Sequence, residues 1–212
     1  MIKKIILGAV LGVVFLTPAC AHAFYIVDTG SGGERFGVSI YNRTNGDYQF
    51  NAGQFTIAQA YTISSIETWM YSTDAGSVEM VLYGDVGNLP NPANEILRQS
   101  FNVAAPGPIT DWQGLLGLNL ALNPGSYWIS LEKSIPTDNF QVNLPTGAPN
   151  PLLRYAYRAE EDNGGDWTPY TGAQGFRVAA VGTETDSVPE PVSAALFGAG
   201  LWGIRSTRKR DL

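Results

Sequence analysis

Apolar and polar residues alternate along most of this chain with a period of two, the pattern of strands buried on one face. Val78, Met80 and Leu82 alternate with Glu79, Val81 and Tyr83. In residues 61–71, Ile66, Thr68 and Met70 take one face and Glu67, Trp69 and Tyr71 the other. Phe36, Val38 and Ile40 alternate in the same way, as do Tyr127, Ile129 and Leu131. Leu116, Leu118, Leu120 and Leu122 mark a strand over 112–122. Further strands are expected over 24–27, 50–57, 96–103, 152–157 and 176–181.

Turn residues punctuate these runs. Asn45-Gly46 is a strong hairpin signal. Asp74-Ala75-Gly76, residues 104–108 and Pro124-Gly125 are further turns, and residues 84–94, with Pro90 and Pro92, read as a long loop. The stretch 160–166 reads as an acidic Gly loop. No amphipathic helix is evident in this body, and the connections are too short for crossover helices, so antiparallel pairing is expected. The expected fold is an all-β, antiparallel β-sandwich, jelly-roll-like, of roughly eight to ten strands.

The two ends depart from this pattern. Lys3 and Lys4 precede an apolar run over 5–16, and Ala21-His22-Ala23 is a small-x-small site. Together they read as a secretory signal peptide over 1–23, cut after Ala23. Cys20 follows Thr17-Pro18-Ala19, and Thr17 stands where a lipoprotein signal wants an aliphatic residue. The chain has one Cys and one His, both before Phe24. A chain beginning at Phe24 has no disulfide, no thiol nucleophile and no histidine ligand or base. Its body, 24–182, must be held by its own apolar core. A polar linker, 183–187, follows.

At the C-terminus, Val188-Pro189-Glu190-Pro191 leads into an almost uncharged 13-residue run over 192–204, then a basic cluster of Arg205, Arg208, Lys209 and Arg210. The prolines hold the lead-in extended. The run makes a short apolar helix of roughly 20 Å, less than the ~20 residues of a full span. The basic cluster favours the cytoplasmic side of a membrane. These three parts, in this order, resemble the PEP-CTERM sorting signal of exported bacterial proteins. That resemblance covers 188–212 and implies an exosortase and the secretion machinery as partners, with transient residence in the inner membrane. It implies delivery to the cell surface or extracellular matrix. The body, notably 54–71 and Tyr127-Trp128-Ile129-Ser130, is similar in style to jelly-roll modules that precede such signals.

Charge narrows the partners. From Phe24 to Ser187 there are 17 acidic and seven basic residues, a balance of −10. Such a body repels nucleic acid, so no nucleic-acid partner is expected. Two clusters could carry chemistry. Asp162, Asn163 and Asp166, around two glycines, offer oxygen ligands for Ca²⁺ without EF-hand spacing; the other reading is a solvated hairpin loop. Trp167 and Tyr170 lie beside that loop and could form a stacking platform for a sugar, as against ordinary core packing. Among Trp69, Trp112, Trp128 and Trp167, the last is expected to be the exposed one because loop residues surround it. No carboxylate pair is singled out for glycoside hydrolysis. The expected protein is non-enzymatic, with no cofactor beyond that Ca²⁺; the alternative is a carbohydrate-binding module acting on exopolysaccharide.

Overall fold

The computed structural model describes residues 22–33, 37–103, 110–150, 152–160 and 165–182. Residues 23–182 form one compact unit. The signal-peptide stretch up to residue 21, Phe36, and the linker and sorting signal from residue 183 onward lie outside the described residues.

The described chain is all-β, with twelve strands and no helical element. Every pairing whose register is resolved is antiparallel. The central ladder joins β3 (Tyr48–Ile57), β8 (Gly125–Glu132) and β5 (Gly76–Val86). β6 (Leu89–Val103) continues it beyond β5, and β10 (Arg154–Ala159) with β11 (Thr168–Tyr170) continues it beyond β3. A second group centres on β4 (Tyr61–Ser72), which pairs with β12 (Phe176–Gly182) and β7 (Asp111–Leu122). β1 (His22–Asp28) lies beside β12.

Two strands connect these groups by changing partner along their length. β2 (Gly37–Asn42) pairs with β9 (Val142–Pro145) through residues 37–40 and with β3 through Tyr41 and Asn42. β4 turns to β9 at Tyr71 and Ser72. Strands that switch partners are how β proteins turn a corner.

One apolar core serves both groups. Phe55, Met80, Leu82, Ile129 and Leu131 from the central ladder join Ile63, Ile66, Met70, Phe176 and Val178 from the second group. The two groups meet closely at Gly53, where an added Cβ would lie 2.6 Å from Leu152 and 3.0 Å from the Phe176 ring. Alternation in β4 is as expected: Ile66, Thr68 and Met70 are fully buried, while Trp69 and Tyr71 are half-buried on the other face.

Two expectations are corrected. Residues 84–94 are not a long loop. β5 runs to Val86, Gly87 and Asn88 turn the chain with φ of 59° and 66°, and β6 starts at Leu89. Two positive φ values in a two-residue loop are the type I′ hairpin, whose twist matches the strands it joins. Pro90 and Pro92 are tolerated because β6 is an edge strand. The strand count also exceeds the expected ten, because β9 and β11, of four and three residues, are too short to show a period.

Gly37 tests how closely β2 and β9 are packed. A Cβ there would collide with the Leu144 backbone carbonyl. Backbone cannot swing aside as a side chain can, so Gly37→Ala should destabilise the protein by about 2 kcal/mol or more, within the range for overpacking. Urea unfolding followed by tryptophan fluorescence would measure it, and an unchanged midpoint would mean β9 is not held where it lies.

Candidate functional site

The face of β4, β7 and β12 opposite the core carries an aromatic cluster. Glu67 pairs with Arg177 of β12 and Gly114 of β7, and Trp69 pairs with Trp112. Residues directly opposite in a ladder share a face, so strand register alone puts the two indoles together. Their rings are 5.4 Å apart, tilted by 59°. The Arg177 guanidinium lies 3.9 Å from the centre of the Trp112 ring and 5.1 Å from that of Tyr25 on β1. Asp28 takes an ion pair from Arg177 at 3.4 Å. The Trp69 indole N–H donates to the Gly33 carbonyl at 3.3 Å, which fixes that ring. Tyr25 is 49% exposed, and both indoles are half-buried.

The expected platform is placed differently. Trp167 is buried, 8% exposed, and meets Tyr83 edge-on at 6.4 Å between ring centres. Its indole N–H has no hydrogen-bond partner. The sequence signal misled because Trp167, just before β11, lies against Tyr83 on the second face of the central ladder, where it serves as cover for a core. Tyr170 stays half-buried and touches Tyr157 edge-on at 6.1 Å. Trp128 is fully buried. Among the described residues the surface indoles are therefore Trp69 and Trp112, whose place was legible only in the pairing of their strands. Of the expected calcium ligands, Asp162 and Asn163 lie outside the described residues, and Asp166 is exposed. No group of three or more metal-ligating side chains occurs among the described residues.

A second cluster sits on the covered face of the central ladder. Arg98 on β6 bonds Glu79 at 2.6 Å, Glu95 at 2.9 Å and Glu132 at 3.0 Å. Glu132 also accepts from the Tyr83 hydroxyl at 2.8 Å and Ser130 at 3.0 Å, and Ser134 donates to Glu79. Burial alone would lower the Arg98 pKa, but the bonds to Glu95 and Glu79 outweigh it and hold the group above its ordinary value. Burial, then the Glu132 charge, pushes the Tyr83 hydroxyl well up. One guanidinium is thus shared among three carboxylates, an arrangement that holds strands together and leaves no free base.

Glu79 borders a cleft of about 360 Å³ with Asp74, Lys133, Thr137, Asn139 and Phe140. The Lys133 ammonium donates to the Thr137 and Phe140 carbonyls at 3.1 and 3.0 Å, so it clamps its own loop. Desolvation lowers its pKa.

Comparison with known protein families and with characterised proteins finds no match for this chain. Any function must therefore be argued from these residues.

Tyr155 gives a pH test. Its hydroxyl donates to the Gln174 carbonyl at 3.2 Å and accepts from the Leu152 and Gln174 amides, both at 3.1 Å. Burial pushes its pKa above the ordinary 10.0. As pH rises past 10 the unfolded chain gives up this proton before the folded one does, so stability falls there. Tyr83, shifted the same way, adds to the loss. Tyr155→Phe should cost about 1–3 kcal/mol at pH 7, from the bonds left unmade, and should shallow the loss above pH 10. Unfolding midpoints from pH 7 to 11 would check both, and an unaltered alkaline slope would refute the assignment.

Proposed function

We propose that this chain is an exported cell-surface or extracellular-matrix protein with a non-catalytic β body. The observation that carries this reading is the C-terminal order of Val188-Pro189-Glu190-Pro191, an apolar run, and Arg205, Arg208, Lys209 and Arg210. It resembles a PEP-CTERM signal, so an exosortase and the secretion machinery are its partners and the inner membrane a transient one. The compact unit from Ala23 to Gly182 supports it, because that is the stretch left between the two terminal signals. We read its strands as a jelly-roll-like sandwich, a view supported by the partner switches in β2 and β4 and by the shared core.

Intact-mass analysis of surface protein from an exosortase-positive cell tests this. The product should begin at Phe24 and lack Trp202 and Arg210. Replacing Pro189, Glu190 and Pro191 with Ala should leave transfer across the inner membrane intact and stop removal of the tail. A wild-type surface product that retains Trp202 and Arg210 would make the tail an ordinary anchor.

The aromatic face favours a second reading, in which the body binds carbohydrate in the exopolysaccharide. Sugar rings pack on indole faces, and Trp69, Trp112 and Tyr25 stand together with Arg177 and Asp28 to bond hydroxyls. Trp112→Ala should weaken retention on an exopolysaccharide gel about tenfold, roughly 1.4 kcal/mol. Equal retention of the variant would leave the cluster a packing feature.

A further inference from the structure

A cleft of about 290 Å³ opens between the β5–β6 turn and the β10–β11 hairpin. We propose that it binds the carboxylate of an acidic sugar ring, a uronate, with Arg154 as the anion partner and Tyr170 as the ring's seat. This goes beyond the aromatic-face reading and does not depend on it.

Charge is the first argument. Six cationic side chains fall among the described residues. Arg43 pairs with Asp47, Arg98 with its three glutamates, and Arg177 with Asp28. Lys133 and Arg158 each bond backbone carbonyls. Arg154 alone among them makes no hydrogen bond or ion pair, and it lines this cleft. In a body with a balance of −10, an unengaged guanidinium in a concave site is a local exception. Guanidinium groups bind carboxylates through two parallel hydrogen bonds. Repulsion from the distant acidic groups is screened beyond about 8 Å at physiological salt.

Rigidity is the second. Each wall is held from behind. Asp85 accepts from the Gln54 side chain at 2.7 Å, the Trp128 indole at 2.8 Å and the Asn88 amide at 3.3 Å, which anchors the Gly87-Asn88 turn. Those donors engage the nearest carboxylate on β5. Tyr155, beside Arg154 and paired with Tyr170, is fixed by its three hydrogen bonds to Leu152 and Gln174. A pre-formed cleft loses less entropy on binding. Leu153, 72% exposed at the rim, and Pro169 add apolar surface to the half-buried Tyr170. The volume is at the small end of ligand sites, about 300 Å³ upward, so one ring is held rather than a chain.

The test uses the full chain and three probes: galacturonate, galactose, which has CH₂OH in place of the carboxylate, and acetate. Titration followed by amide chemical shifts should move Gly87, Asn88 and Tyr170. Galacturonate should bind at least tenfold tighter than either other probe. Arg154→Gln should bring it to the level of galactose, Arg154→Lys should keep part of the preference, and Tyr170→Ala should weaken galacturonate without changing acetate. Trp112→Ala should leave all of this unchanged, whatever it does to polymer binding. The proposal is overturned if Arg154→Gln binds galacturonate as the wild type does, or if galactose or acetate binds equally well. Loss of galacturonate binding in Trp112→Ala would place the ligand on the aromatic face and overturn it too.

Discussion

The packing of Phe176 on Gly53 sets the geometry on which the rest of the surface depends. Glycine lets the β12 ring approach the backbone of β3 where any side chain would stand in its way. That fixes which way each neighbouring residue faces. With Phe176 inward, alternation turns Arg177 outward, across from Glu67 and onto Trp112. With Tyr155 paired to Gly53 and buried, Arg154 opposite Gln54 is turned out at the head of β10. The aromatic face and the cleft are thus two outward consequences of one inward contact. Thr29 reinforces it, accepting from the Phe176 amide at 2.7 Å and donating to the Gln174 carbonyl at 3.0 Å.

The central ladder is buried on both faces, which explains its composition. Met80, Leu82, Ile129 and Leu131 face the main core. Val81, Tyr83, Trp128 and Ser130 occupy the other face and are also buried, with Trp167 beside Tyr83. A second covered face permits polar groups only if they satisfy each other. Glu132 does so with Tyr83, Ser130 and Arg98, and Asp85 does so with Gln54 and Trp128. The Trp167 indole N–H is an exception over this face, and on the main-core face the side-chain amide of fully buried Asn51, which pairs with Leu131, also makes no hydrogen bond.

This double burial marks where sequence reading stops. Period-two alternation identified the longer strands that have one covered face, though not the short β9 and β11, and for β4 it assigned the two faces correctly. It cannot tell whether the second face is also covered, since that depends on a loop remote in sequence. Hence Trp167, flanked by loop residues, read as exposed while it closes a core. Trp69 and Trp112, on regular strands, read as packing while they share an outer face. The Gly87-Asn88 hairpin was obscured by two nearby prolines, which look like a loop until β6 proves to be an edge. Arg154 had no signal at all: an arginine that opens a strand is unremarkable until every other described cation proves to be engaged.

Engagement of the cations also shapes the exterior. Arg98 neutralises part of a cluster with three carboxylates, and Lys133 and Arg158 turn to backbone oxygens rather than to acids. The cationic charge is thus largely committed within the fold, while acids such as Asp111 and Asp166 remain on the surface. An acidic exterior discourages self-association through like-charge repulsion. It also sharpens selection. An anion that reaches this surface gains only where a cation is both uncommitted and held in a rigid concave frame, and among the described residues Arg154 meets both conditions. The same commitment of cations within the fold therefore restricts where the body could recognise an acidic ligand.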